Sequence, residues 1–130
     1  MKFLLDTPVF LWFISGDARL PAGWRDTIRQ PQHEIYLSVV SLWETIIKYQ
    51  LGKLPLPEPP ERYLPAQRGR HQIVDLPLDE ASVRQLVALP PIHRDPFDRM
   101  LICQAMEHTL TIITADAVFQ AYSAPVLGHA

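Results

Sequence analysis

Short apolar runs alternate along the chain with longer segments whose apolar residues recur at helical spacing. The short runs predict strands at 3–5, 35–38, 72–76 and 110–113, and a final edge strand at 125–127. The helical segments are 9–14, 22–30, 39–51, 79–89 and 95–107, followed by a last short helix after Asp116. Such alternation is typical of a parallel sheet covered on both faces. We therefore expect an α/β fold, a three-layer α/β/α sandwich with a central, mostly parallel sheet of about four to five strands, formed by a single domain over residues 1–130.

Local signals add detail to this pattern. Thr7, directly before Pro8, predicts the N-cap of the first helix, and Ser38 or Ser41 predicts the cap of the helix at 39–51. Five of the thirteen prolines lie between residues 55 and 65, which predicts a stiff irregular loop with at most one helical turn. The aromatic residues at helical spacing are expected in the core, with an interface as the alternative for some of them; they are Trp12, Phe13, Trp24 and Trp43.

Composition and charge narrow the class of protein. Twelve Lys and Arg residues against fourteen Asp and Glu residues give a net charge of −2, which excludes a protein that coats nucleic acid through bulk positive charge. The single cysteine, Cys103, excludes an intramolecular disulfide. Every apolar run is shorter than the roughly 18 residues of a membrane-spanning helix. We therefore expect no membrane span and a cytoplasmic location.

Acidic residues follow two of the predicted strands. Asp6 comes after the strand at 3–5, and Asp116 comes after the strand at 110–113. In parallel α/β sheets the ligand site lies outside the carboxyl ends of the strands, so both carboxylates would point into one cleft. Asp95 and Asp98 lie on one side of the helix at 95–107, and either could face the same cleft. A helix cap is the alternative role for each of these aspartates.

Glu44 lies inside the helix at 39–51, on a face that Val40, Ile47 and Leu51 mark as buried. Buried carboxylates are rare unless they are paired or bound to a metal, and an i,i+4 pair with Lys48 is the alternative here. Several carboxylates in one cleft repel one another and are destabilising unless a cation neutralises them. Ligands that offer only oxygen favour a hard cation, Mg²⁺ or Mn²⁺.

Four short segments carry these acidic residues. They are LLDT at residues 4–7, SLWE at 41–44, HRDPFDRMLI at 93–102 and ITAD at 113–116. Each segment alone is weakly specific, but together they occur in a fixed order across nearly the whole chain. In that combination they resemble the PIN-domain ribonucleases, in particular the VapC-like toxins of type II toxin–antitoxin systems.

The resemblance implies a Mg²⁺- or Mn²⁺-dependent endoribonuclease that hydrolyses RNA phosphodiester bonds with an activated water. It implies a catalytic set of Asp6, Glu44, Asp98 and Asp116, in which Asp6, Asp98 and Asp116 bind the metal. Asp98 ranks above Asp95 in this set, because the family's helix continues from its metal-side aspartate into an apolar run. The accessory candidates near the set are Asp95, Thr114, Thr7, Arg99 and His93. The resemblance also implies a toxin function, a cognate antitoxin as partner and a homodimer.

RNA binding needs local cations, because the net charge does not supply them. Arg94 lies beside the acidic pair, and Arg62, Arg68 and Arg70 form the densest basic stretch, in what we expect to be an exposed loop. These four arginines are the candidate RNA-binding residues. The alternative function is a catalytically silent PIN-like module that binds RNA or a protein without cleaving.

Overall fold

The computed structural model describes residues 1–122 and 126–127. Within them the strands are β1 Lys2–Leu5, β2 Glu34–Ser38, β3 Val74–Leu76, β4 Thr111–Ile113 and β5 Val126–Leu127. They form a five-stranded sheet in the order β3-β2-β1-β4-β5. Each neighbouring pair is parallel. The predicted parallel α/β architecture is therefore confirmed.

Helices connect these strands. They are α1 Thr7–Ser15, α2 Ala22–Arg29, α3 Val39–Gln50, α4 Pro60–Arg70, α5 Glu80–Arg84 and α6 Pro96–His108, with 3-10 turns at Gln85–Val87 and Ala117–Ala121. None of the helices in the described part of the chain is long and apolar enough to cross a membrane.

The sheet separates two apolar cores. Leu4 and Ile112 point to one face and pack with α6 residues such as Leu101 and Ile102. On the other face, Phe3, Leu5 and Ile113 pack with residues of α1, α2 and α4. Successive strand residues point to opposite faces, so both faces of β1 and β4 are buried. This two-sided burial gives the three predicted layers.

The register of β1 and β4 determines what stands at their carboxyl ends. Phe3 pairs with Thr111, and Leu5 pairs with Ile113. The Asp6 amide then donates to the Ile113 carbonyl at 3.0 Å. The two strands therefore end level with each other, and the residues that follow them emerge side by side.

The first helix is capped by a different residue from the one predicted. Asp6, not Thr7, is the N-cap of α1, and its side chain accepts a hydrogen bond from the Thr7 amide at 2.8 Å. Thr7 is already the first helical residue, and its hydroxyl points instead toward α3, where it lies 2.8 Å from Glu44 Oε1. The prediction placed the helix start two residues late because Asp6 ends β1 and begins α1 at once. For α3, the predicted cap Ser38 is confirmed.

The predicted proline-rich loop is wrong over residues 60–70, which form the helix α4. Pro60 stands in the first turn, where a missing amide proton costs nothing. Pro65 lies inside the helix and leaves the Glu61 carbonyl without its usual donor. Glu61 is exposed, so water can satisfy that carbonyl. Arg62, Arg68 and Arg70 consequently lie on a helix and not in a loop.

The predicted core position of Trp43 is also wrong. Trp43 is 55% exposed to solvent, whereas Phe13 is buried as predicted. Trp12 and Trp24 are half-buried. The side of α3 that faces the protein carries Val40, Ser41, Glu44 and Thr45. The spacing of apolar residues in α3 therefore gave a wrong prediction for Trp43, because polar residues occupy most of the buried face of this helix.

Smaller differences concern element ends. The third strand begins at Val74 and not at residue 72, and α5 ends at Arg84 before a 3-10 turn continues to Val87. The last predicted strand is present as Val126–Leu127, and Pro125 lies outside the described residues.

The end of α6 generates a stability prediction. Thr109 caps this helix with φ 56° and ψ 51°, in the left-handed region that β-branched residues disfavour. Because glycine adopts this conformation without steric cost, we expect Thr109→Gly to raise the free energy of unfolding by about 1 kcal/mol. Urea denaturation measures the change. Thr109→Ala, which keeps a Cβ, is the control and should gain less; a glycine variant no more stable than wild type would contradict the prediction.

Candidate metal centre

Acidic side chains gather at the carboxyl ends of β1 and β4. They line a cleft of about 180 Å³. The residues around it are Asp6, Pro8, Trp12, Glu44, Lys48, Asp95, Asp98, Ala115 and Asp116. All four residues of the predicted catalytic set therefore reach one place, although they come from four separate segments of the chain.

Asp6 occupies the floor of the cleft and is 4% exposed. One carboxylate oxygen accepts from the Thr7 amide, and the other accepts from Thr114 Oγ1 at 2.7 Å. Burial, with the smaller contribution of the Glu44 and Asp116 charges, outweighs the lowering effect of these hydrogen bonds and raises the pKa of Asp6 to about 6. The fold thus holds this carboxylate in a position where its negative charge is unfavourable.

Glu44 projects from α3 and is 3% exposed. Its Oε1 atom accepts from the Thr7 hydroxyl, and Ser41 Oγ lies 2.8 Å from the same hydroxyl oxygen. Its Oε2 atom pairs with Lys48 Nζ at 2.5 Å. Burial alone would lower the pKa of Lys48, but the hydrogen bond and negative charge of Glu44 raise it. Glu44 therefore forms the i,i+4 ion pair with Lys48 and also lines the cleft, the two roles that the sequence analysis gave as alternatives.

Asp98 lies in the first turn of α6 and has the most perturbed carboxyl group described. Its pKa is raised to about 8, first by burial and then by the negative charges of Asp6, Asp95, Glu44 and Asp116, in that order. A carboxylate in this position is stabilised by an added cation, because the cation would offset both causes.

Asp116 caps the 3-10 turn that follows β4. Its Oδ1 atom accepts from the Val118 amide at 2.9 Å, while Oδ2 faces the cleft. The Asp116 amide donates to Thr114 Oγ1 at 3.0 Å. Thr114 therefore contacts both Asp6 and Asp116.

His93 and Asp95 also join the cluster. His93 Nε2 lies 2.9 Å from Asp116 Oδ2 and 3.1 Å from Asp98 Oδ2. Asp95 lines the cleft, but its Oδ1 atom accepts from the Phe97 and Asp98 amides and caps α6. The prediction that Asp95 caps a helix is therefore confirmed, and Asp95 also lines the cleft.

The donor atoms suit a divalent cation. One group of three side chains, His93, Asp98 and Asp116, offers ligand atoms that lie within 4.8 Å of one another. A second group, Glu44, Asp95 and Asp98, does the same. Asp98 belongs to both groups. Carboxylate oxygens predominate in these groups, and such a donor set fits Mg²⁺ or Mn²⁺.

The predicted arginines lie outside the cleft lining. Arg99 Nη1 donates to the Pro90 carbonyl at 3.1 Å, and the side chain borders a separate apolar pocket with Trp43 and Phe97. Arg68 pairs with Asp75 at 3.5 Å. The three arginines Arg62, Arg70 and Arg94 are exposed.

Four residues that line or support the site were not among the predicted site residues. Lys48 and Trp12 line the cleft, Ser41 contacts Thr7, and Tyr122 Oη accepts from the His93 amide at 2.6 Å. Lys48 was predicted only as the i,i+4 partner of Glu44, and Ser41 only as a possible helix cap. Their positions at the site, like that of Tyr122, depend on packing between distant segments.

Comparisons with known proteins found a matching family model and a similar ribonuclease. The family model described as PIN domain matches residues 3–125. Ribonuclease VapC16 of Mycobacterium tuberculosis (strain ATCC 25618 / H37Rv) is 40% identical over 57 residues, which are 44% of this chain and 40% of that relative. The aligned segment therefore spans less than half of either protein.

Solved structures share the fold over almost the whole chain. VapBC2 from Rickettsia felis, bound to a DNA fragment from their promoter, superposes with a TM-score of 0.71 at 14% identity and covers 98% of both chains. DNA-bound VapBC from Salmonella typhimurium gives a TM-score of 0.66 at 22% identity, again over 98% of each chain. At such identities these neighbours establish the predicted fold.

The perturbed carboxyl groups generate a prediction about pH. The pKa of Asp98 is higher in the folded than in the unfolded chain, so the folded state binds more protons between about pH 4 and pH 8. The free energy of unfolding in EDTA should therefore fall as the pH rises through this range. We expect Asp98→Asn to stabilise the metal-free protein at pH 8 by about 1–2 kcal/mol and to flatten the slope.

Chemical denaturation at several pH values provides the measurement. Asp26→Asn is the matched control, because Asp26 is exposed on α2 and does not line the cleft. An Asp98→Asn profile parallel to that of wild type would refute the prediction.

Proposed function

Because this chain belongs to the PIN-domain family, we propose that it is a metal-dependent endoribonuclease that hydrolyses RNA phosphodiester bonds. We propose further that residues 1–130 act as one such domain and that the protein is the toxin of a toxin–antitoxin pair. The similarity to a ribonuclease over 57 residues supports the reaction class.

The convergence of four carboxylates carries this proposal. Asp6, Glu44, Asp98 and Asp116 line one cleft, and the burial and mutual repulsion of these groups make their joint ionisation unfavourable without a cation. Natural proteins retain such unfavourable arrangements mainly where function requires them. A structural role explains single caps, such as Asp116 on its 3-10 turn, but not the meeting of all four in a cleft.

Each side chain has a proposed role. We assign Asp6, Asp98 and Asp116 to binding Mg²⁺ or Mn²⁺, and Glu44 to the catalytic set beside them. When bound, the cation would supply the charge that lowers the pKa of a water and offsets the negative charge of the reacting phosphate. The hydroxyls of Thr7 and Thr114 orient Glu44 and Asp6, so they position the carboxylates and need not touch RNA.

Lys48 provides positive charge at the same cleft. It is the cation among the described lining residues, and its side chain is 45% exposed. RNA has to bring phosphate oxygens toward a group of carboxylates, so a neighbouring ammonium lowers the electrostatic cost of binding. We therefore propose that Lys48 contacts a phosphate near the scissile bond. The exposed Arg62, Arg70 and Arg94, with Arg68, remain proposed contacts for more distant parts of the RNA.

Partner proteins form part of the proposal. The similar structures from Rickettsia felis and Salmonella typhimurium are VapBC assemblies, which supports a cognate antitoxin for this chain. We also propose a homodimer. Exposed apolar residues such as Trp43 are candidates for either contact. A cytoplasmic location is proposed because the antitoxin and RNA substrates are expected there.

The first test is metal-dependent cleavage. The partner-free protein is incubated with total RNA and Mg²⁺ or Mn²⁺, with EDTA in a parallel reaction. We expect cleavage that EDTA abolishes and that Asp6→Asn reduces by about 100-fold or more, because the variant loses the charge needed to hold the cation. Asparagine still accepts the Thr7 amide hydrogen bond, so α1 keeps its cap.

Asp26→Asn is again the control and should cleave at the wild-type rate. Binding of RNA or a partner protein without any cleavage by the wild type would favour the catalytically silent module instead.

The second test concerns Lys48. RNA affinity is measured as a function of salt in the Asp6→Asn background, which prevents cleavage. Adding Lys48→Gln should remove one phosphate contact and reduce the slope of log affinity against log salt by about 0.7. Lys53→Gln changes an exposed lysine outside the cleft lining and should leave the slope unchanged. Equal slopes for the two lysine variants would exclude the proposed contact.

A further inference from the structure

His93 joins two carboxylates that different segments supply. Its Nε2 atom lies 2.9 Å from Asp116 Oδ2, after β4, and 3.1 Å from Asp98 Oδ2, on α6. His93 itself precedes Asp95, the N-cap of α6, and so lies outside that helix. It therefore bridges the two sides of the cleft.

The other ring nitrogen identifies which atom carries the proton. His93 Nδ1 lies 3.2 Å from the Asp95 amide nitrogen, which donates to it. A nitrogen that accepts a hydrogen bond has no proton of its own, so the ring is the neutral tautomer with its proton on Nε2. That Nε2–H donates to Asp116 Oδ2, and Asp98 Oδ2 lies 3.1 Å from the same nitrogen.

Surrounding contacts hold the imidazole in this orientation. The His93 amide donates to Tyr122 Oη at 2.6 Å, and the ring packs edge-on against Phe119 at a centroid distance of 5.6 Å. The side chain is only 14% exposed. The ring is therefore in place without help from a bound ion.

We propose that His93 is a positioning residue: its Nε2–H hydrogen-bonds to Asp116 and lies beside Asp98, and so fixes the two carboxylates in the geometry that receives the divalent cation. This inference rests on the proposed nuclease function. Asp116 Oδ2 has a second lone pair, so accepting from His93 leaves it able to bind a cation. A polar N–H close to both carboxylates also offsets part of their repulsion.

Direct ligation by His93 is disfavoured by the same hydrogen bonds. A nitrogen ligand must present a lone pair, so the proton would have to move from Nε2 to Nδ1. The Asp95 amide would then face a second donor and lose its acceptor. Asp95 also caps α6 through its side chain, so a shift of its backbone would disturb the first turn of the helix, which carries Asp98.

Three substitutions of His93 separate its effects. Glutamine extends an amide N–H to about the position of Nε2, whereas asparagine reaches only the level of Nδ1, and alanine has no donor. We expect the Mn²⁺ dissociation constant to rise about tenfold or more in His93→Asn and His93→Ala, and to stay within about threefold of wild type in His93→Gln. Calorimetric titration of the metal-free protein gives these values without reference to activity.

His108→Ala serves as the matched control. His108 pairs with Asp79 at 2.8 Å and lies outside the cleft lining, so its removal should leave Mn²⁺ affinity unchanged. Circular dichroism and thermal unfolding identify any variant that fails to fold. If His93→Ala fails to fold, the Mn²⁺ affinity of His93→Asn still tests the proposal.

Pulsed electron paramagnetic resonance of the Mn²⁺-loaded protein distinguishes positioning from ligation. We expect no coupling from a coordinated imidazole nitrogen in the wild type. A strong nitrogen coupling that disappears in His93→Gln would overturn the inference, because it would make His93 a ligand.

Unchanged Mn²⁺ affinity in both His93→Asn and His93→Ala would also overturn the inference. Metal-dependent RNA cleavage by the wild type would in that case still support the nuclease function. A wild type that neither binds Mn²⁺ nor cleaves RNA would overturn both.

Discussion

The pairing of β1 with β4 is the interaction on which the site depends. Because Leu5 pairs with Ile113, Asp6 and Thr114 leave the sheet side by side, and Asp116 follows two residues later. Apolar burial on both faces holds these strands in register, and a slip of one residue would exchange the two faces of β4. The hydrophobic core thus provides the force that keeps mutually repelling carboxylates together.

A shell of hydroxyl and amide donors makes that arrangement tolerable. Thr7 and Ser41 meet beside Glu44, and Thr114 links Asp6 to Asp116. Hydrogen bonds to charged groups are among the stronger ones in proteins, contributing about 1.5–3 kcal/mol each. They do not remove the electrostatic cost, since the pKa values of Asp6 and Asp98 stay raised. The remaining cost is what a bound cation would relieve.

Helix termini place most of these side chains. Asp6 caps α1, Asp95 caps α6, and Asp116 caps a 3-10 turn, so three acidic residues of the cleft satisfy backbone amides as well. A helix cap and a position in the cleft, which the sequence analysis treated as alternatives, therefore occur together in these residues. A carboxylate has two oxygens, and Asp116 uses one for Val118 and turns the other toward the cleft.

By itself the sequence determined the order of strands and helices, the parallel three-layer architecture and which acidic residues meet in the cleft, because periodicity, caps and short motifs are local properties. It failed for α4, where Pro65 suggested a loop, and for Trp43, whose helix buries Ser41 and Glu44 instead. Only the tertiary structure decided that Thr114 reaches Asp6 across 108 positions and that His93 joins Asp98 to Asp116. Such contacts depend on strand order and register, which bring together residues whose separation along the chain carries no signal of their proximity.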